Sequence, residues 1–106
     1  MNPVNDILQT SAKGCSVVVN DGAKDEPNVV PTTAGQFKAL TPEPGNPVAN
    51  KVTTYKVTTG CTLKFYNNVG GPTVAGAAQV GADRTADGTA VTAEETAKSA
   101  TCTCTP

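Results

Sequence analysis

Four cysteines carry the clearest chemistry in this chain of 106 residues: Cys15, Cys61, Cys102 and Cys104. Their even number, without any histidine or Cys-x-x-Cys pair, argues against a zinc centre and favours structural disulfides formed in an oxidising compartment. Cys102 and Cys104 occupy alternate positions of a predicted strand, so their side chains would point the same way rather than at each other. We therefore predict that Cys15 and Cys61 each pair with one of the two terminal cysteines, which leaves two connectivities open.

A second group of candidate ligands lies in the segment DRTADGTAVTAE, which begins at Asp83 and ends at Glu94. Asp83, Asp87 and Glu94 occupy positions one, five and twelve of an EF-hand type of calcium loop, and Gly88 occupies position six. Position three is Thr85 rather than an acid, and the glycine-rich segment before Asp83 does not predict a helix. We expect a polar loop followed by a capped helix, with no resident metal or cofactor.

Catalysis is the function that the composition argues against most directly. Without histidine the chain lacks a Ser–His or Cys–His nucleophile and the usual proton carrier near neutral pH. The net charge is −1 with no run of like charge, which argues against nucleic-acid binding. No apolar stretch approaches the roughly 20 residues that a transmembrane helix needs. We predict a protein that is not an enzyme, does not bind nucleic acid and does not span a membrane.

β-branched runs and period-two alternation predict that strands position these residues. In CTLKFY, Cys61, Leu63 and Phe65 point to one side and Tyr66 to the other, so one face of this strand should be buried. Residues 51–76 are interpreted as a β-hairpin followed by a return strand. The predicted strands cover residues 15–19, 28–33, 36–40, 51–59, 61–66, 73–76 and 100–105.

Loops and two short helices complete the predicted pattern. Glycine, proline and polar residues predict loops at residues 21–27, 41–50 and 81–88. A short helix is predicted at residues 5–13. The sequence Thr-Ala-Glu-Glu predicts a second helix with Thr92 as its N-cap.

The fold class follows from these elements and from the small core material. Aromatic residues make up 4% of the chain and tryptophan is absent, so hydrophobic burial alone would give modest stability. Disulfides are expected to supplement it. We predict a single secreted domain over residues 1–106, a mainly β, antiparallel sandwich or barrel-like fold with one or two short helices.

The segment YKVTTGCTL, from Tyr55 to Leu63, resembles the opening Tyr-x-Val-x-x-Gly-Asp-Thr-Leu of a LysM repeat, with Cys61 in place of the acid. The resemblance implies glycan binding. The next residues, KFYNNVGGPTVAG, show strand alternation and consecutive glycines where that family continues into helices. We therefore interpret the segment as a threonine-rich β-hairpin.

The whole chain, rich in threonine, glycine and alanine and ending in a Cys-x-Cys motif, resembles the small secreted proteins of filamentous fungi. Some of those proteins are effectors or elicitors that act on a host. The resemblance implies an extracellular, monomeric recognition protein whose partner is a protein or a glycan. A structural subunit of a cell surface or wall is one alternative, and a weak calcium- or glycan-binding module is another.

Overall fold

Two antiparallel sheets pack face to face in the computed structural model, which describes residues 13–40 and 51–106. Within these residues the chain also forms one 3₁₀ turn and one short helix, α1. The elements in chain order are β1 Cys15–Asn20, β2 Asp25–Val30, β3 Lys38–Ala39, β4 Lys51–Val57, β5 Cys61–Tyr66, the 3₁₀ turn Gly71–Thr73, β6 Gln79–Arg84, β7 Gly88–Thr89, α1 Thr92–Glu95 and β8 Ser99–Cys104.

Each sheet has four strands in the described part of the chain. Sheet A has the order β2-β1-β4-β7 and sheet B the order β3-β8-β5-β6. Every strand pair formed by residues 13–40 and 51–106 is antiparallel. The predicted mainly β, antiparallel sandwich is thus confirmed, and the barrel-like alternative is not the one adopted.

The core lies between the two sheets and is filled from alternate strand positions. β1 buries every second residue from Cys15 to Val19, and β5 does the same from Cys61 to Phe65. Leu63 and Phe65 are completely buried, whereas Tyr66 is only half-buried on the opposite face, as predicted. Within the part of the chain that the structure describes, the buried apolar residues are Cys15, Val17, Val19, Val30, Leu40, Val52, Tyr55, Val57, Cys61, Leu63, Phe65, Ala97, Ala100 and Cys102.

The hairpin of β1 and β2 corrects the prediction of a loop over residues 21–27, because β2 already begins at Asp25. Asp21 stabilises the tight turn between the two strands, because its Oδ1 accepts hydrogen bonds from the backbone N–H groups of Ala23 (2.9 Å) and Lys24 (3.0 Å). Gly22 has a φ of 94°, which a residue with a side chain rarely adopts. The strand predicted at residues 28–33 begins earlier in the structure, at Asp25, and ends at Val30, before Pro31.

β4 contains a bulge that sequence alternation could not reveal. Val18 pairs with Thr54 but Val19 pairs with Val52, so Thr53 is the extra residue. Because a bulge changes which face the following residues occupy, Val52 and Tyr55 are both buried although they are three positions apart. This explains why neither face of residues 51–59 reads as apolar in the sequence.

The predicted hairpin of residues 51–66 is wrong, because β4 belongs to sheet A and β5 to sheet B. The chain crosses between the sheets at a turn in which Cys61 N–H donates to the Thr58 carbonyl (2.9 Å) and Gly60 has a φ of 94°. Both strands therefore place their buried faces toward each other across the core. The Tyr55 and Phe65 rings, 5.9 Å apart and edge to face, are one contact of this kind.

The predicted return strand at residues 73–76 is also wrong. The Gly71–Thr73 turn follows β5, with Pro72 near its start, where the missing N–H costs no hydrogen bond. The return strand is β6, so the predicted loop over 81–88 is wrong for the part that lies in β6 and β7. Alanine and glycine in these strands give no β-branched signal.

Two further strands differ from their predicted bounds. The strand predicted at 36–40 is reduced to β3, and the one predicted at 100–105 starts one residue earlier as β8. The predicted loop at 41–50 and residues 5–12 of the predicted first helix lie outside the described residues. No helix in the described part is long and apolar enough to cross a membrane.

Candidate functional site

The calcium-loop candidates do not converge on a common point. Asp83 lies in β6, where its Oδ1 accepts a hydrogen bond from Gln79 Nε2 (2.6 Å) and its Oδ2 lies 3.8 Å from Lys64 Nζ. Asp87 lies after β6, and its Oδ1 accepts the backbone N–H of Val57 (2.8 Å). The two carboxylates therefore have separate partners: Asp83 has them in β6 and β5, and Asp87 has its partner in β4.

The two remaining positions of the motif are equally separate. Thr85 is exposed, and Glu94 is completely buried in α1. Glu94 Oε2 accepts a hydrogen bond from Arg84 Nε at 2.6 Å, and its Oε1 accepts the backbone N–H of Val91 at 3.0 Å. Among the described residues, the group of candidate metal ligands that does converge consists of cysteines and includes none of these acids.

The start of α1 differs from the prediction that Thr92 caps it. Val91 is the N-cap residue, and Thr92 is the first residue of a helix that is four residues long. Because valine has no side-chain acceptor, the first turn depends on the Glu94 carboxylate, which receives the Val91 N–H. The buried acid therefore organises the helix start as well as pairing with Arg84.

The sequence did not reveal a role for Arg84, because its partner Glu94 is ten positions away and the local patterns that include Glu94 give no part to Arg84. Its guanidinium carbon lies 5.7 Å from the centre of the Tyr55 ring. The hydrogen bond to Glu94 raises the pKa of the Arg84 guanidinium above its ordinary value. A buried carboxylate with a permanently charged partner is a structural ion pair that connects β6 to α1.

Two glycines, Gly81 and Gly88, leave space for the side chains of Glu94 and Tyr55. A Cβ atom at Gly81 would lie 2.8 Å from Glu94 Cγ, and one at Gly88 would lie 2.7 Å from the Tyr55 hydroxyl. Both distances are shorter than atoms tolerate without moving. The absence of side chains at these positions allows β6 and β7 to approach Glu94 and Tyr55 closely.

All four cysteines are paired, and the two open connectivities are resolved. Cys15 of β1 bonds Cys102 of β8, which joins sheet A to sheet B. Cys61 of β5 bonds Cys104 of β8, directly opposite within sheet B. The second bond links strands that already pair along their length, whereas the first one links the two layers of the sandwich.

The outer face of sheet A carries an apolar patch, which we define as Val18, Pro27 and Val29. Val18 and Pro27 are directly opposite each other, and Val29 follows on the same face of β2. Val29 is 76% exposed, the largest value among the exposed large apolar residues of the described chain. Its neighbour in the strand, Val30, is buried in the core.

In the LysM-like segment, the aromatic side chain of Tyr55 is buried and does not face solvent. Tyr55 is 5% exposed and packs on Phe65 in the core. Its ring is therefore unavailable for stacking on a sugar.

Comparison with known proteins gave no match to any family model, any curated protein or any solved structure.

Proposed function

We propose that this protein is a secreted, non-enzymatic recognition domain that binds an extracellular protein through the apolar patch on sheet A. The main observation in support of this function is the exposure of the Val29 side chain. β2 buries Val30 in the core yet leaves Val29 in water, beside Pro27 and Val18. Val29 and Pro27 are exposed and Val18 is half-buried, and contiguous apolar side chains of this kind on a sheet surface are a common feature of protein-binding surfaces.

The surroundings of the patch favour a protein over a lipid surface or a sugar. Asp25 lies on the same face of β2, and Lys56 is exposed on β4, two strands away. Charges of both signs around an apolar centre are typical of protein interfaces, which have a polar rim. The patch contains no aromatic ring on which a sugar could stack.

The disulfides support an extracellular location. Both bonds close long segments, with sequence separations of 87 and 43 residues, and such bonds persist in oxidising compartments. Cys15–Cys102 also holds the two sheets together, and Cys61–Cys104 joins two strands of sheet B, in a domain with a small core. The resemblance to small secreted fungal proteins points to the same location and to an effector-like action on a host.

A self-assembling structural subunit is the weaker alternative, because the sheet edges in the described chain are poor templates for pairing. Since Asp21 N–H donates to the Lys24 carbonyl, the alternation of antiparallel bonds turns the backbone nitrogen of Pro27 toward the free edge of β2. Proline has no N–H to offer there. The edges β3 and β7 are two residues long, and β6 is interrupted by a register shift.

The test is affinity capture with a matched pair of variants. The immobilised protein is exposed to extracellular fluid of candidate hosts, and the captured protein is mapped by cross-linking. Val29→Glu should abolish capture, and Val69→Glu, at a valine that is 51% exposed in a loop of the other sheet, should retain it. Unchanged melting temperatures verify that both variants fold.

Two results would contradict the proposal. One is capture that Val29→Glu leaves intact, because the patch would then not be the binding surface. The other is concentration-dependent self-association in size-exclusion chromatography that Val29→Glu abolishes, which would make the patch a contact between copies and favour the structural alternative.

A further inference from the structure

The four sulfur atoms form one cluster shared by β1, β5 and β8. The Sγ atoms of Cys61, Cys102 and Cys104 all lie within 4.8 Å of one another, and Cys15 Sγ is bonded to Cys102. Cys102 Sγ and Cys104 Sγ, which belong to different disulfides, are 3.9 Å apart. The two bonds are therefore in contact, not merely in the same domain.

The accessibility of the cluster is uneven. Cys15, Cys61 and Cys102 are 4%, 1% and 4% exposed, whereas Cys104 near the chain end is only half-buried. Thiol–disulfide exchange begins with attack of a thiolate on a sulfur that it can reach. Of the two bonds, Cys61–Cys104 is thus the one that an external thiol can attack directly.

We infer that Cys104 is the entry site for a small dithiol reductant and that exchange inside the cluster then opens the Cys15–Cys102 bond. One thiolate of the reductant attacks Cys104 Sγ, and Cys61 leaves as a thiolate and takes up a proton. The second thiol of the reductant attacks the mixed disulfide, closes a cyclic disulfide and releases Cys104 as a thiolate.

The relay step follows from the contact between the two bonds. Parallel side chains on one strand do not favour a Cys102–Cys104 bond in the native fold, but the 3.9 Å between these Sγ atoms allows it to form as an exchange intermediate. The Cys104 thiolate attacks Cys102 Sγ, the Cys102–Cys104 bond forms, the Cys15–Cys102 bond breaks, and Cys15 leaves as a thiolate that takes up a proton. One dithiol is oxidised, the protein loses one of its two disulfides, and the two protons of the dithiol are found on Cys61 and Cys15. A second dithiol then reduces the short Cys102–Cys104 ring.

As a consequence, the disulfide between the two sheets is lost after attack on a different disulfide, which lies within sheet B. Cys61–Cys104 links neighbouring strands of sheet B, but its reduction leads to loss of the bond between sheets A and B. An extracellular or host dithiol would thus break the covalent bond between the layers without reaching the buried pair.

The double variant Cys61→Ser/Cys104→Ser tests the relay. The reduction rate of Cys15–Cys102 by dithiothreitol is measured under native conditions by alkylation and mass spectrometry. We expect it to fall at least tenfold relative to the wild type, because the entry site is missing. Loss of a stabilising bond without a relay would speed the reaction instead, since local unfolding would expose the pair.

A second measurement keeps the inference testable if the variant does not fold. The wild type is treated with one equivalent of dithiothreitol, quenched with an alkylating reagent and mapped. The relay produces a species alkylated on Cys15 and Cys61. Its absence, with alkylation confined to Cys61 and Cys104, would overturn the inference, as would an equal or faster reduction of Cys15–Cys102 in the folded double variant.

Discussion

Arg84 Nε donates a hydrogen bond of 2.6 Å to Oε2 of Glu94, whose side chain has no exposed surface. This pair joins β6 to α1, the two elements that contain the ends of the segment with the spacing of a calcium loop, Asp83 and Glu94. The acid at the last position of that motif is therefore neutralised by a neighbouring strand.

Arg84→Met should destabilise the domain by about 3 kcal/mol, because it leaves a buried carboxylate without its partner. The double variant Arg84→Met/Glu94→Gln should cost clearly less, since the charge disappears and the amide oxygen still accepts the Val91 N–H. Urea unfolding of both variants measures the difference. A double variant that is less stable than Arg84→Met would mean that the ion pair does not dominate this site.

Gly81→Ala should destabilise the domain more than Gly76→Ala. Both glycines have positive φ, 74° and 80°, so backbone strain affects both variants. Only at Gly81 would the new Cβ meet another group, the Glu94 side chain at 2.8 Å, whereas nothing lies within 4 Å at Gly76. Thermal melts of the two variants isolate the cost of the contact, and equal losses would show that Glu94 moves aside freely.

Phe65→Ala should cost about 3–5 kcal/mol of unfolding free energy, because the side chain is completely buried between the sheets. Tyr66→Ala, at the next position on the other face, should cost far less. Chemical denaturation of this neighbouring pair tests the facing of β5. Similar losses in both variants would contradict the assigned face.

Calcium should not bind specifically at micromolar concentration. A calcium site would have to draw Glu94 away from Arg84, and breaking a buried pair costs about 3–5 kcal/mol. It would also have to detach Asp87 from the Val57 N–H. Calorimetric titration decides the matter: a one-to-one isotherm tighter than about 100 μM that Asp87→Ala abolishes would establish a calcium site.

Asp21 should titrate below its ordinary range. Backbone hydrogen bonds from Ala23, then from Lys24, lower its pKa in the folded state. Because the folded-state pKa is the lower one, its contribution to the β1–β2 turn is present above the unfolded pKa and is lost as pH falls through the folded pKa. Carboxyl NMR shifts of Asp21 would measure this, and an ordinary pKa would show that the Asx-type turn is not formed in solution.

The buried face of a strand could be predicted from the sequence only where the strand keeps a regular two-residue alternation in the folded structure. In β5, alternation of Cys61, Leu63 and Phe65 with polar residues predicted the buried face correctly, because a regular strand has a period of two. In β4, the bulge at Thr53 interrupts this period, so the sequence alone did not identify Tyr55 as a core residue. The same residue also fell within a motif whose resemblance implied glycan contact.

The sequence by itself determined a mainly β chain, a buried face for β5 and a disulfide partner in β8 for Cys15 and Cys61. Each of these depends on residue type and on spacing within one element. Only the tertiary structure decided that β4 and β5 belong to different sheets, that Cys15 pairs with Cys102, and that Arg84 neutralises Glu94. These contacts depend on how distant segments pack across the core, and packing between layers has no periodic signature along the chain.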